Sequence, residues 1–154
     1  MRRKDREVTD LNDIYSIIKK CDSVCVAFFD EEYPYVIPLN FGVSFKDNKF
    51  TLYFHGASQG KKLDLIKKNN HVSFTMSTSH KLKLGEKSCD ATMDFESVCG
   101  SGIVSLLDDE EKKQSLTFLM EQYDNGAEHS FDDKEVERIA VLKLEVERVT
   151  GKRH

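Results

Sequence analysis

Phe50, Leu52 and Phe54 alternate with Thr51, Tyr53 and His55, and this period-2 pattern constrains the fold more than any other feature of the chain. Successive side chains of a strand point to opposite faces, so one face of this segment meets a core and the other does not. If the phenylalanines fill the core, His55 has to leave it. The alternation then breaks at Gly56-Ala57-Ser58-Gln59-Gly60, which carries Lys61 and Lys62 into a helix. The first N–H groups of a helix have no intrahelical partner, and the macrodipole adds roughly half a positive charge there. Strand, loop and lysines therefore have the build of an anion site. The spacing is not that of a P-loop, because no glycine stands five residues before Gly60 and no Ser or Thr follows the lysines. A glycine-initiated helix with solvated lysines is the plainer reading of the same residues.

The other elements follow from hydrophobic period. Residues 9–20 place Leu11, Ile14, Ile17 and Ile18 on one face behind a Thr9 or Asp10 cap, which predicts an amphipathic helix. Residues 23–29 form a continuous apolar run suited to a strand buried on both faces, and residues 35–45 read as a second strand. Asp47-Asn48 suits a two-residue hairpin turn, since both residues tolerate positive φ. Residues 71–77 are a further strand with Val72, Phe74 and Met76 on one face, followed by a polar, lysine-rich loop over 79–89. Residues 91–107 are long for a strand, and Gly100-Ser101-Gly102 predicts a bulge or bend within them. A helix starts at Asp108 with Glu111 as its capping partner and Leu116, Leu119, Met120 and Tyr123 as its buried stripe. Residues 124–133 read as a loop, and residues 139–146 alternate again. The expectation is one domain over 1–154: mainly β, a six-stranded antiparallel barrel or curled sheet with peripheral helices.

Composition removes several classes of function. Hydrophobic residues make up 39% and charged residues 32%, the balance of a water-soluble folded chain, and no apolar run approaches the ~20 residues of a membrane span. The net charge of -4 argues against a dedicated nucleic-acid binder, although Arg2, Arg3, Lys4 and Arg6 leave room for a local contact. No apolar segment follows that basic start, so a secretory leader is not expected. Cys21, Cys25, Cys89 and Cys99 show no zinc-knuckle spacing, so no metal site is expected and the thiols are read as reduced, in a cytoplasmic protein.

Several segments carry a resemblance in collinear order. They are the opening from Met1-Arg2-Arg3 to Val8-Thr9-Asp10, the stretch Tyr33-Pro34-Tyr35-Val36-Ile37-Pro38-Leu39-Asn40-Phe41-Gly42, the Tyr53 to Lys62 stretch, Glu96-Ser97-Val98 before Gly100 and Gly102, and Thr150-Gly151-Lys152. Together they resemble the FMN-binding split-barrel proteins related to pyridoxamine 5'-phosphate oxidase, and within them the nitroimidazole-resistance (NimA-like) branch. That resemblance implies a six-stranded split barrel and a homodimer holding FMN in clefts at the subunit interface. In it Ile37, Pro38, Leu39 and Asn40 lie along the flavin, Ser58, Lys61 and Lys62 hold its phosphate, and Ser97 and Val98, with Ser101 and the Gly100–Gly102 bend, are read as contacts to it from the second subunit. Pro38 fits such a place, because proline within a strand belongs where its missing N–H is harmless. His55 is implied as a ligand-site residue, and an imidazole with an ordinary pKa of about 6.5 can donate a proton or a hydrogen bond to a bound acceptor. Tyr35, Tyr53 and the segment around Val98 are expected to face outward and be covered by the partner subunit. The implied activity is FMN-dependent reduction of a small nitroaromatic acceptor, with NAD(P)H as one candidate donor. A flavin or haem carrier, or a ligand sensor on the same fold, is the alternative.

Overall fold

The computed structural model describes residues 3–124 and 126–154; Met1 and Arg2 of the basic start, and Asn125, lie outside them. Eight strands form one antiparallel sheet: β1 (Glu7–Val8), β2 (Val24–Phe28), β3 (Tyr35–Leu39), β4 (Gly42–Lys46), β5 (Lys49–Ala57), β6 (His71–Lys83), β7 (Thr92–Leu106) and β8 (Ile139–Arg153). Four α-helices accompany them: α1 (Leu11–Lys19), α2 (Lys61–Lys68), α3 (Asp109–Tyr123) and α4 (Asp133–Arg138). The strand order is β3-β2-β6-β7-β8-β5-β4, with β1 added beside the far end of β8.

That order decides the shape. β3 and β4 stand at opposite ends of the sheet, yet only Asn40 and Phe41 separate them in the chain. Three peptide steps span at most ~11 Å, so the two sheet ends must come together and the sheet must curl into a barrel. Phe28, Phe41, Phe54, Leu52, Leu142 and Leu144 fill its interior, and α1 closes one end by burying Ile14, Ile17 and Ile18 in the same core.

Several expected features are present. Asp10 caps α1 by accepting from the backbone N–H groups of Asn12 (2.9 Å) and Asp13 (3.1 Å), and Asp108 caps α3 through Glu111 N–H at 3.2 Å. Asp47 and Asn48 both adopt positive φ, 53° and 60°, in the turn that joins β4 to β5. A bulge lies at Gly100-Ser101-Gly102, where the β7–β8 register shifts between Ser101 and Gly102, but the extra residue is Glu147 of β8 and β7 itself keeps its register with β6. Only glycine fits there, since a Cβ on Gly102 would meet the Glu145 carbonyl oxygen at 2.0 Å.

Other expectations are corrected. The strand read over 35–45 is two strands, because Phe41 turns inward at 0% exposure and its N–H donates to the Tyr123 hydroxyl (3.0 Å) rather than to a ladder. That hydroxyl also accepts from Asn40 Nδ2 (3.2 Å) and donates to the Asp22 carbonyl (2.8 Å), so the last residue of α3 pins the crossing. Tyr123 does this from the surface, outside the buried stripe assigned to it. β2 is not buried on both faces: Cys25 and Ala27 look outward, and their small side chains mask the alternation. The polar loop expected over 79–89 is shorter than that, since β6 runs to Lys83 and pairs with β7 through Lys81–Asp94 and Lys83–Thr92 beyond a bulge at Ser79, and only the residues after Lys83 connect the two strands. Val98 points into the core at 0% exposure, while Tyr35 and Tyr53 are half-buried against Phe28 and Phe118. The three therefore make no outward apolar patch.

Candidate functional site

The site grows out of a break in the ladder. β4 pairs with β5 only from Gly42–Tyr53 to Lys46–Lys49, so residues 54–57 of β5 pair with β8 on one side and with no strand on the other. β3 pairs with β2 alone. From the crossing at Asn40, the free edge of β3 and the free edge of β5 thus run apart and leave a split in the barrel wall. Ile37, Pro38 and Leu39 lie along one edge and His55 at the other. Ile37 and Leu39 turn their side chains to the core, and Pro38 and Asn40 face outward, so what β3 offers the split is mainly its backbone.

α2 begins beyond the end of β5. Its N-cap is Gly60 at φ 133°, with no side-chain cap and no atom within 4 Å of where a Cβ would stand. Leu63 N–H (2.9 Å) and Asp64 N–H (3.3 Å) return to the Gly60 carbonyl, which leaves the N–H groups of Lys61 and Lys62 aimed out of the helix next to exposed Ser58.

The two lysines are not equivalent. Lys61 Nζ pairs with Asp30 Oδ2 at 2.6 Å and lies 5.0 Å from the centre of the Tyr35 ring. The Asp30 hydrogen bond raises the Lys61 pKa, and Lys61 in turn holds the Asp30 carboxyl below its ordinary value. The pair clamps the β2–β3 connection onto the start of α2. Lys62 is half-buried and folds back over Gly56, with its Nζ 2.4 Å from where a Gly56 Cβ would stand. Burial alone lowers its pKa, and no carboxylate offsets that among the described residues. A side chain at Gly56 would displace the ammonium from this position, a shift the flexible lysine can make.

His55 leaves the core, as the alternation demanded, and lies on the outer face of β5 opposite Val141 of β8. Burial first, and the Lys62 ammonium second, lower its pKa, so it is mostly neutral at pH 7. α3 covers this outer face, with Phe118 stacked on Tyr53 at 5.1 Å. The helix can lie so close because β4 opens with Gly42, whose absent Cβ would meet Leu119 N at 2.4 Å.

The fold thus sets His55 beside Lys62 at the start of α2, where Ser58 and Lys61 also lie, and leaves Ile37, Pro38, Leu39 and Asn40 along the free edge of β3. It does not bring Ser97 and Val98 to them. Ser97 pairs with Lys152, eleven residues along β8 from the Val141 partner of His55, about 35 Å if that strand were straight.

The sequence profile of the pyridoxamine 5'-phosphate oxidase family matches residues 10–153. The chain belongs to that family. Of the solved structures similar to this pyridoxamine 5'-phosphate oxidase relative, one is a candidate 5-nitroimidazole antibiotic resistance protein from Bacteroides thetaiotaomicron. It is 36% identical, with 96% of this chain and 86% of that one covered at a TM-score of 0.81. Two further structures share the fold at low identity. A flavocytochrome from Azotobacter vinelandii is 20% identical over 100% of this chain and 72% of its own, with a TM-score of 0.81. An FAD and heme binding protein from Mycobacterium smegmatis is 16% identical over 96% and 73%, with a TM-score of 0.82. No curated protein matches in sequence. Among the described residues no helix is long and apolar enough to cross a membrane.

Sequence reasoning missed three parts of this family member's site. Asp30 gave no sign of pairing with Lys61, because the ion pair joins a loop residue to the first residue of α2, 31 positions apart, and no local pattern links the two. The pinning role of Tyr123 was hidden by its place at the helix end. α4 was not read at all: it has six residues and one buried apolar side chain, Val136, too few to show a period.

Proposed function

We propose that the protein is a flavoprotein that binds FMN in the split between β3 and the end of β5 and reduces a small nitroaromatic acceptor placed beside His55. The observation that carries this is Lys62: a half-buried ammonium without a carboxylate partner among the described residues, at a glycine-started helix with free N–H groups, beside two unpaired strand edges. A doubly charged phosphate supplies the charge that Lys62 lacks and accepts from the Lys61 and Lys62 N–H groups. The open edge of β3 has backbone donors and acceptors to spare for the polar rim of a flat ring. Bound FMN would supply the electron transfer. The chain's own contribution is to hold the phosphate at Lys62, to line the ring with residues 37–40, and to present the His55 imidazole to the acceptor as a hydrogen-bond or proton donor. The 36% identity to a protein connected with nitroimidazole resistance supports the choice of acceptor.

The proposed assembly is a homodimer, with a partner subunit covering the face opposite the helices. Pro38, Cys25, Thr75, Cys99 and Thr150 form one exposed row across β3, β2, β6, β7 and β8, and these side chains are small enough for another sheet to approach closely. Ser97 faces outward on this sheet too, so a site built from two subunits is the one way it reaches a flavin held near His55. The buried Val98 side chain has no such route, and its place in the site is kept for its backbone only.

Three measurements on the purified full-length chain test the proposal. Its absorbance spectrum should show the two flavin bands, and a Soret band in their place would favour a haem carrier. Light scattering should give a mass near twice 17.7 kDa. Flavin reduced by NAD(P)H or dithionite should be reoxidised by a nitroimidazole under anaerobic conditions; no reoxidation would leave a binding protein without turnover.

A further inference from the structure

The outer face of β5 holds a second recess, which shares only His55 with the proposed flavin and acceptor site. It lies under α3 and α4 with His55 at one edge and has a volume of about 290 Å³. Its walls are apolar, made by Leu116, Leu119, Met120, Phe131, Val136 and Ile139. It exists because α4 is too short to complete the layer over β5 and β8. Val136 alone is buried from that helix, so the space between it and α3 stays unfilled.

The charged side chains that line the recess are both acidic, and the Lys62 ammonium stands beyond His55 at the opposite edge. Asp132, Glu135, Ser130 and His55 line it, and no lysine or arginine does. Of the α3 lysines, Lys113 pairs with Asp133, and Lys112 pairs with Asp109 at 2.8 Å while its Nζ also donates to the Val136 carbonyl at 3.5 Å, so its charge is already matched by a carboxylate where α3 meets α4. Asp132 caps α4 through Lys134 N–H (2.9 Å) and Glu135 N–H (3.3 Å), which fixes it as an acceptor, while Glu135 is exposed and free to turn toward a ligand. An anion entering here meets two carboxylates at short range and a cation meets attraction, in a setting where the apolar walls reduce screening.

We infer that this recess is a binding site for a small organic cation, one aromatic or alicyclic ring bearing a protonated amine. Its ring rests on Leu116, Leu119 and Phe131, its ammonium meets Glu135, and its edge reaches His55. The volume fits one ring and lies at the lower limit of ligand cavities, which run from ~300 to 1,000 Å³. The low pKa of His55 agrees with this, since a neutral imidazole does not repel a cation at pH 7. The site stands on its own geometry, whether or not flavin occupies the split.

Benzylamine, benzyl alcohol and benzoate have one ring and differ in charge, so titrating the full-length protein with each at pH 7 by calorimetry and by ¹H–¹⁵N NMR tests the inference. Benzylamine should bind best and benzoate worst, with about a tenfold spread at low salt that narrows as salt is added. His55 and Phe131 signals should shift together. Glu135→Gln should weaken benzylamine roughly fivefold and leave benzyl alcohol unchanged. Met120→Trp should block all three probes, and Ser130→Phe serves the same purpose if that variant does not fold. Equal affinity for the three probes, a preference for benzoate, no binding at millimolar concentration, or an unchanged benzylamine affinity in Glu135→Gln would each overturn the inference. Flavin absorbance recorded on the same samples separates the two readings: normal flavin content without amine binding removes this site and leaves the flavin site standing.

Discussion

Lys61 and Lys62 are neighbours in sequence but have opposite environments, and that asymmetry makes a sharp test. The Lys61 charge is already spent on Asp30 at 2.6 Å, whereas Lys62 is desolvated without an ion pair among the described residues. If a phosphate docks at the start of α2, Lys62 gains a charge-assisted hydrogen bond that is absent from the free protein. Such a contact contributes about 1.5–3 kcal/mol, so Lys62→Met should weaken FMN by roughly 10- to 150-fold. Lys61→Met removes an exposed lysine that must share its charge with Asp30, and the loss should be a few-fold at most. The free protein should respond in the other direction. Replacing a half-buried, unpaired ammonium by an isosteric apolar chain relieves desolvation, so Lys62→Met should leave apo stability unchanged or raise it by up to about 1 kcal/mol. Quenching of FMN fluorescence on titration with apoprotein gives the affinities, and urea unfolding gives the stabilities. Equal losses for the two variants, or a larger loss for Lys61→Met, would refute the phosphate assignment to Lys62. A clear loss of apo stability in Lys62→Met would show that its ammonium serves the fold.

Other expectations concern the histidine, the core and the seam. His55→Ala should retain flavin and slow nitroimidazole reduction, by 10²–10⁴-fold if the imidazole donates a proton. Because its pKa is lowered, the protonated form grows only as pH falls below about 6.5, so the wild-type rate should rise toward acid and the His55→Ala rate should be flat. Burial raises the Glu96 pKa, but hydrogen bonds from Lys20 (2.6 Å), Arg153 (2.6 Å) and Ser79 (3.0 Å) outweigh it and hold the carboxyl at about 2. The folded value lies below the ordinary 4.5, so the contribution is complete above that pH and is lost as pH falls from 4.5 toward 2. The loss is on the order of 3 kcal/mol, and acid unfolding of Glu96→Gln should lack that component. Gly42→Ala places a methyl group against the α3 backbone and should cost about 1–3 kcal/mol in urea unfolding, because a main chain cannot turn aside as a side chain can.

How much of this was legible beforehand follows from which forces are local. The period of β5, the Asp10 and Asp108 caps, the Asp47-Asn48 turn and the Gly100–Gly102 bulge depend on backbone sterics and near-neighbour hydrogen bonds, which a single sequence states. The split at β3 and β5 depends on where β4 stops pairing, and that point is set by Phe41 turning inward and by a tyrosine hydroxyl from a helix 82 residues away. Asn40 and Gly42 mark a break within 35–45, but nothing local says that Phe41 turns inward or that Tyr123 holds it there. The same limit explains the lysines. Adjacent positions look alike in a sequence, and only the fold assigns one to Asp30 and folds the other over Gly56. Gly56 shows how the two levels join: in the sequence it is a breaker that ends a strand, and in the structure its missing side chain is the space that keeps the Lys62 ammonium half-buried beside the split. In the proposed phosphate site, the Lys62 ammonium is held half out of water beside a glycine rather than by a partner charge.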